Sequence, residues 1–288
     1  MPSLELHNRT INSKYDAFVM GIVNCNDTSF YSKSRGGAER AFSLIEEGAE
    51  ILDLGAESTR PGSSYISAEE EMERLIPVIR EVRKVSSIPI SIDTRKKKVM
   101  SACFEEGADI LNDISALEDD PELAEYAALK KIPVILMHKR GIPGEMQKLT
   151  DYDDVFSEVS DYLEKRAEYA ESCGIEPSKI IVDPGIGFAK NLEQNKILMA
   201  KCGLLCKKKY TVLMALSRKT CIGEITSRAI EDRLYGTLAA DLLCVLFGAQ
   251  IVRVHDVKPC VDTLAVLKSF KEVRDPLSGA DARNNEVV

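Results

Sequence analysis

The sequence has no apolar run of the roughly 18 residues that a membrane-spanning helix needs. Its first ten residues, MPSLELHNRT, lack the charged and then apolar pattern of a secretory signal. A net charge of −8 leaves no basic excess for nucleic acid binding. We therefore expect a cytoplasmic protein whose partners include neither a membrane nor a nucleic acid.

The eight cysteines do not form a pattern that binds zinc. They include no CxxC pair, and no histidine lies near Cys202 and Cys206 in the sequence to complete a zinc site. Disulfide pairing is not expected either, because the secretory signal is absent. We interpret the cysteines as reduced thiols that are mostly buried.

The sequence does contain a series of short runs rich in Ile, Val and Leu. The eight runs span residues 17–24, 50–55, 88–93, 109–113, 132–138, 179–185, 211–216 and 250–256. Apolar and polar residues do not alternate in them, which is typical of parallel strands that are buried on both faces. Amphipathic stretches lie between the runs, so the pattern predicts a βα repeat. A closed barrel and an open doubly wound sheet both fit this repeat.

The residues at the ends of the runs favour the barrel. Polar or ionisable side chains stand at or just after the carboxyl end of every run, among them Asn24, Asp53, Asp93, Asn112, His138, Asp183, Ser217 and Arg253. In a closed barrel these ends meet at one face, where active sites of the fold lie. An open sheet would use only the ends near its switch point. We therefore predict a single (β/α)₈ TIM barrel over residues 17–273.

Short segments flank the predicted barrel. Residues 1–16 are expected to form a β-hairpin that closes its bottom, and the polar residues 274–288 are expected to be disordered. No linker divides the chain into two domains. The irregular stretches 25–36, 57–67 and 139–153 are candidates for functional loops.

Asp93, Asn112 and Asp183 each directly follow the apolar residues of their run. A buried carboxylate or amide needs hydrogen-bond partners, and its own strand supplies none. A ligand rich in N–H groups would satisfy these side chains. The three positions therefore indicate a binding site for such a ligand.

A second set of residues is positively charged or can become so: Arg60, Lys219, Arg253 and His255. Such a set in an acidic chain favours a polyanionic substrate, because the planar guanidinium suits phosphate oxygens. Side chains alternate along a strand, so Arg253 and His255 lie on the same side of the eighth run, 250–256. An unpaired arginine and histidine inside a barrel would be costly, so we expect both to face an anion at its mouth.

Eight segments in order carry a family signature. They are MGIVN (20–24) with Ser29 and Phe30, DLGAESTRPG (53–62), SIDT (91–94), NDIS (112–115), MHKRG (137–141), DPGIGFAK (183–190), SRKT (217–220) and VRVHDV (252–257). Together they resemble the dihydropteroate synthases over about residues 17–270. The resemblance implies a transferase that joins 6-hydroxymethyl-7,8-dihydropterin diphosphate to 4-aminobenzoate by an SN1-like substitution. It also implies Mg²⁺ as cofactor and a homodimer, whose interface we expect at the apolar segment 231–248.

The resemblance assigns roles to individual residues. Those implied to bind the pterin are Asp93, Asn112, Met137, Asp183, Phe188 and Lys219. Those implied to bind the diphosphate are Asn24, Thr59, Arg60, Arg253 and His255, with Asn24 also a metal ligand. Those implied to bind the aminobenzoate are Phe30, Pro61, Lys219 and Thr220. Asp93, Lys219, Arg253 and His255 are the implied catalytic residues.

The first loop departs from the family pattern. Asn26 and Asp27 replace a Thr-Pro pair, and Thr28 stands where Asp is usual. The change bears on the loop's conformation and on aminobenzoate affinity.

Two other functions fit the residues. A methyltetrahydrofolate-dependent corrinoid methyltransferase shares the pterin-binding barrel, although it has no use for STRPG, SRKT and VRVH. A catalytically inactive paralogue that binds pterin is the second.

Overall fold

Eight short parallel strands close into a barrel. The structure is a computed structural model that describes residues 1–25, 36–57, 65–141, 145 and 148–274. The barrel strands are β3 Phe18–Asn24, β4 Ile51–Gly55, β5 Ile90–Asp93, β6 Ile110–Asp113, β7 Val134–Met137, β8 Ile180–Asp183, β9 Thr211–Met214 and β10 Ile251–Val254. They are hydrogen-bonded in the closed order β10-β3-β4-β5-β6-β7-β8-β9. Each lies inside one predicted run, and the TIM barrel is confirmed. The open doubly wound sheet is excluded by the closed strand order.

Helices connect the strands. They are α1 Gly37–Glu46, α2 Ala68–Val85, α3 Lys97–Glu105, α4 Glu122–Lys130, α5 Val155–Ser172, α6 Leu192–Ala200, α7 Cys202–Cys206, α8 Thr220–Thr226, α9 Leu234–Leu246 and α10 Val257–Arg274. Short 3-10 turns occur at Pro177–Lys179 and Ile230–Asp232. Helix α5 begins after Asp154, whose side chain caps it by accepting from the amides of Phe156 and Ser157. In the described part of the chain, no helix is both long and apolar enough to cross a membrane.

The predicted N-terminal hairpin is present and packs into the amino end of the barrel. Its strands β1 Ser3–Glu5 and β2 Thr10–Asn12 pair antiparallel. Buried side chains from the hairpin form one cluster with residues of the barrel strands and with Ala215 just after β9: Leu4, Leu6, Phe18, Met20, Ile51, Ile110, Ile135, Ile181, Leu213, Ala215 and Ile251. The amino end of the barrel is therefore filled with apolar side chains. Residues 275–288, which were expected to be disordered, lie outside the described residues.

The interior changes from apolar to polar two residues further along several strands. Side chains two positions apart in a strand point to the same face, so the residue after next also points inward. The inward pairs are Ile51 and Asp53, Ile110 and Asn112, Ile181 and Asp183, and Ile251 and Arg253. The alternation of the strands thus carries the polar groups into the carboxyl half of the barrel.

One of the outer helices, α9, carries a buried carboxyl group, that of Asp241. It is a helix α9 residue that is 2% exposed, and neither carboxyl oxygen has a hydrogen-bond partner among the described residues. Burial raises the pKa of Asp241 well above its ordinary value, so the folded protein binds a proton that the unfolded chain releases. The stability that depends on Asp241 is therefore complete below the unfolded pKa of about 4. It is lost as the pH rises toward the folded pKa.

We expect Asp241→Ala to stabilise the protein, and more so at high pH. Removing the buried carboxyl should raise Tm by about 3 °C or more at pH 8, and by less at pH 5. Thermal denaturation of both proteins at the two pH values checks this. Asp161→Ala is the matched control, because Asp161 is exposed in helix α5. A gain for Asp241→Ala that does not exceed the control's, or that does not grow with pH, would contradict the interpretation.

Candidate active site

The carboxyl end of the barrel brings most of the predicted site residues together. Asn24, Asp93, Met137 and Asp183 end their strands, and Asn112 is one residue from the end of β6. Strand β10 contains Arg253 and is followed by His255, and Phe188 lies in the turn after β8. Helix α8 begins at Thr220, directly after Lys219. Four predicted residues lie outside the described residues: Phe30, Thr59, Arg60 and Pro61. The same holds for the altered loop positions Asn26, Asp27 and Thr28.

Arg253 joins two carboxylates across the barrel interior. Its Nε donates to Asp53 Oδ2 at 2.6 Å, and its Nη2 donates to Asp93 Oδ2 at 2.9 Å. Burial opposes the charge of Arg253, but Asp53 and Asp93 outweigh it and raise the pKa of the guanidinium. Arg253 is therefore not unpaired, and the expectation that it needs an external anion for lack of a partner is wrong. The arginine already has anionic partners inside the barrel.

Asp53 also fixes the amide of Asn112. The Nδ2 group of Asn112 donates to the two carboxyl oxygens of Asp53 at 3.2 and 3.3 Å. Asp53 itself is fully buried. Its carboxylate thus orients one residue of the predicted pterin set and one of the predicted diphosphate set, because Arg253 is its other partner.

Arg253 only partly offsets the cost of burying the charged carboxylate of Asp93. Burial raises the pKa of Asp93 to about 7, Arg253 opposes this rise, and nearby acidic groups including Asp53 add to it. Among the described residues, one guanidinium therefore bonds to both carboxylates. A ligand that donates N–H groups to Asp93 would favour its ionised form.

Lys219 lies against the turn that follows β8. Its Nζ donates to the carbonyl of Ile186 and lies 5.1 Å from the centre of the Phe188 ring. Burial lowers the pKa of Lys219 to about 8, although the carboxylate of Asp183 opposes this shift. Asp183, whose pKa is raised by burial, accepts from the amide of Gly185 at 2.7 Å. The turn therefore connects the predicted residues of β8 with the start of α8.

Met137 and Asp183 are neighbours in the barrel, paired in register between β7 and β8. Met137 is buried, whereas Phe188 is half-buried. The backbones of Gly185 and His138 lie close together beside them, since a Cβ on Gly185 would lie 2.0 Å from the carbonyl oxygen of His138. Only glycine fits this position. Apolar groups from two adjacent elements thus flank the carboxyl of Asp183.

His255 is a neutral side chain rather than a cation. Burial, and then the positive charge of Arg253, lower its pKa to about 3. The hydroxyl of Ser217 accepts from the His255 backbone N–H at 3.1 Å and lies 2.9 Å from Nδ1. A hydroxyl both donates and accepts, so this contact fits either tautomer of the neutral ring. His255 therefore acts as an N–H donor without a formal charge, and it was wrong to group it with the cations.

Two residues at the site, Asp53 within β4 and Ser217 after β9, have no role assigned to them by the motifs. The spacing of Asp53 from Ile51 is the available signal, because it matches the inward spacing of Asn112 and Asp183. Ser217 gives no comparable signal. Its bond to His255 joins residues 38 positions apart and depends on the pairing of β9 with β10.

Comparison with known proteins shows extensive similarity. The profile of the family described as pterin binding enzyme matches residues 20–255. A dihydropteroate synthase of Synechocystis sp. is 41% identical over 247 residues, which cover 84% of this chain and 86% of the relative. The solved dihydropteroate synthase of Xanthomonas albilineans with 4-aminobenzoic acid is 39% identical, with a TM-score of 0.85 and coverage of 94% and 98%. The same enzyme with 7,8-dihydropteroate has 37% identity, a TM-score of 0.82 and coverage of 94% and 99%.

The shared guanidinium predicts pKa changes of opposite sign in two variants. Asp53→Asn should lower the pKa of Asp93 from about 7 by roughly one unit, because a like charge is removed and Arg253 is left to Asp93. Arg253→Met should raise it, because the opposing cation is lost. Titration of the aspartate side chains by ¹³C NMR measures both. Shifts of the same sign, or none in Asp53→Asn, would refute the sharing.

Proposed function

The chain belongs to the dihydropteroate synthases of the pterin binding enzyme family, and we propose that the carboxyl end of its barrel joins a dihydropterin diphosphate to 4-aminobenzoate. The observation that carries this proposal is the inward polar set of Asp93, Asn112 and Asp183 beside Lys219. A pterin edge presents amino and ring N–H donors next to a carbonyl, so it complements carboxylates, an amide and an ammonium. The products are 7,8-dihydropteroate and diphosphate.

In the pterin subsite, Asp93, Asn112 and Asp183 bind the polar edge of the ring. Lys219 donates to the pterin carbonyl side, and its lowered pKa of about 8 still leaves it mostly protonated at pH 7. Met137 and Phe188 form apolar walls of the slot. The support for this arrangement is that the charges of Asp183 and Lys219 stabilise each other. The lysine opposes the rise in the pKa of Asp183, and the carboxylate opposes the fall in the pKa of Lys219.

The diphosphate subsite is built around Arg253 and His255, with Asn24, Thr59 and Arg60 as the other members. The guanidinium of Arg253 has five N–H donors, and its bonds to Asp53 and Asp93 involve Nε and Nη2. The remaining donors suit phosphate oxygens. His255 contributes a neutral imidazole that can donate an N–H. Because Asp53 holds Nε, Arg253 can bind the anion without leaving its place in the barrel.

Magnesium fits the donors at this end of the barrel. Mg²⁺ prefers oxygen ligands and typically takes one or two from the protein, with phosphate oxygens and water completing its shell. Asn24 supplies such an oxygen from a partly exposed side chain at the end of β3. Among the described residues, no group of three or more His, Cys, Asp or Glu side chains offers a separate metal site. When bound there, the ion would neutralise charge on the diphosphate.

The aminobenzoate subsite adjoins the pterin subsite at Lys219. Thr220, the exposed first residue of α8, offers its hydroxyl to the aminobenzoate carboxylate. Phe30 and Pro61 are the proposed walls of this pocket. Lys219 and Thr220 are consecutive residues, so the start of α8 connects the two organic substrates.

The reaction begins when the bond between the pterin methylene carbon and the diphosphate oxygen breaks, and the electron pair leaves with diphosphate. The resulting cation is delocalised into the pterin, and the carboxylate of Asp93 stabilises it electrostatically. Arg253 and His255 stabilise the charge on the leaving group. The uncharged aniline nitrogen then attacks the methylene carbon and releases its proton to solvent. Neither a serine nor a cysteine nucleophile is needed.

Turnover with both substrates and magnesium tests the function. We expect 7,8-dihydropteroate and diphosphate as products, identified by mass spectrometry. Pterin binding without product would instead support an inactive paralogue. Methyl transfer from methyltetrahydrofolate to a corrinoid, without dihydropteroate, would support the methyltransferase.

Lys219→Ala should lower kcat/KM by at least about 100-fold, or roughly 2.7 kcal/mol. The lysine contacts both organic substrates in the proposal, so its loss affects binding and orientation together. Lys201→Ala is the matched control. Lys201 also precedes a helix, α7, and its Nζ lies 5.2 Å from the centre of the Phe156 ring. Steady-state kinetics should show near-normal activity for the control. Equal activity in the two variants would remove Lys219 from the site.

We propose that two copies of the chain associate through the region of α7 and α9. Exposed apolar side chains there include Leu204, Leu243, Leu246 and Phe247, and Gly203 packs against Phe247. A second copy would cover these side chains, of which Leu243, Leu246 and Phe247 lie in the expected segment 231–248. We also propose a cytoplasmic location, which the eight free cysteines support, since reduced thiols persist in that compartment.

Leu243→Glu should weaken this association, because it places a charge in an apolar contact. Sedimentation equilibrium should give about twice the 31.9 kDa chain mass for the unmodified protein and a lower mass for the variant. Leu129→Glu is the control, since Leu129 is 78% exposed on α4. An unmodified protein that sediments as a monomer would exclude the dimer, and an unchanged mass for Leu243→Glu would exclude this interface.

A further inference from the structure

Lys190 is a buried lysine at the end of the turn that follows β8. It is 3% exposed, and its Nζ lies 3.0 Å from His138 Nδ1. The same ammonium donates to the carbonyls of Gly185 at 3.0 Å and Phe188 at 2.9 Å. An ammonium has three N–H donors, so these three partners engage all of them. Lys190 therefore acts through protein groups and not by direct contact with a substrate.

The charge of Lys190 is costly to maintain. Burial lowers its pKa to about 7; Asp183 opposes this shift, and Lys219 and Arg140 add to it. Its partner His138 is neutral, because burial and then Lys190 lower the histidine pKa to about 2. The neutral Nδ1 accepts from the ammonium. Buried ionisable groups with strongly shifted pKa values cluster at functional sites, which suggests that Lys190 has a role besides packing.

The turn that Lys190 ties together has an unusual backbone. Gly185, Gly187 and Ala189 all have positive φ, at 66°, 84° and 51°. Ala189 is the costly member, because a residue with a Cβ is disfavoured in this region. Bonds across the turn, and from the turn to the end of β7, stabilise this conformation. Lys190 supplies both kinds of bond with one group.

The same turn presents three groups to the proposed pterin subsite. Asp183 is held by the amide of Gly185. Ile186 offers the carbonyl that accepts from Lys219, and Phe188 carries the ring beside that lysine. A change in the turn would therefore move a carboxylate, an ammonium and an aromatic wall at once. Small displacements of this kind can have large effects on binding and rate.

We propose that Lys190, through its bond to His138, is a positioning residue for the pterin subsite. It holds the 183–190 turn in the conformation that aligns Asp183, Lys219 and Phe188 with the ring. The inference rests on the proposed function, because it assumes that these three groups bind pterin. The diphosphate subsite lies on other elements and should not depend on Lys190.

The test compares Lys190→Met with Lys179→Met in the full chain. Lys179 is a matched control, since it is 5% exposed and donates to the carbonyl of Leu6 at 2.9 Å, at the opposite end of the barrel. Both variants lose a buried ammonium, and both should have a lower Tm. Calorimetry measures the affinity of each for a pterin without diphosphate and for pyrophosphate with Mg²⁺. We expect at least about tenfold weaker pterin binding in Lys190→Met alone, with pyrophosphate binding unchanged in both.

Normal pterin affinity in Lys190→Met would overturn the proposal, and so would equal losses of pterin and pyrophosphate, which indicate general damage. If Lys190→Met does not fold, His138→Phe replaces it, because it keeps the ring but removes the acceptor. That variant should weaken pterin binding about threefold or more and leave pyrophosphate binding unchanged, and normal pterin affinity overturns the proposal. Failure of the unmodified protein to bind pterin would instead count against the proposed function.

Discussion

The guanidinium of Arg253, shared between Asp53 and Asp93, sets the charge balance of the barrel interior. Two carboxylates in a buried space would be strongly unfavourable without a cation. Arg253 makes the arrangement possible but compensates it only in part, which is why the pKa of Asp93 is raised to about 7. The interior is therefore suited to a ligand that adds N–H donors to the carboxylates and an anion to the arginine. A dihydropterin diphosphate has both.

The rest of the barrel keeps this group of charges in place. The amino half is filled by apolar side chains, including Leu4 and Leu6 from the hairpin, so the strands are packed from below. Two residues later the inward side chains are polar. The site is thus built mainly on strands and on a turn fixed by buried bonds, which favours accurate positioning. The helices contribute less directly, although the start of α8 carries Lys219 and Thr220.

Much of this architecture could be predicted because it depends on local patterns. All eight barrel strands fall within runs rich in Ile, Val and Leu, and the inward position of Asn112 follows from the spacing of β6. The pairings inside the barrel could not be predicted in the same way. Arg253 meets Asp53 across 200 positions, a contact that depends on barrel closure, and Lys190 meets His138 across 52, a contact that depends on the pairing of β7 with β8. For the same reason, His255 was grouped with the cations, although burial keeps it neutral.

The most direct test of this account is a crystal structure of the protein with 7,8-dihydropteroate bound. We expect the pterin edge to lie within hydrogen-bonding distance of Asp93, Asn112 and Asp183, with Lys219 beside its carbonyl and Arg253 still bonded to Asp53. A pterin ring bound outside the carboxyl end of the barrel, or bound there without contact to these side chains, would contradict the account.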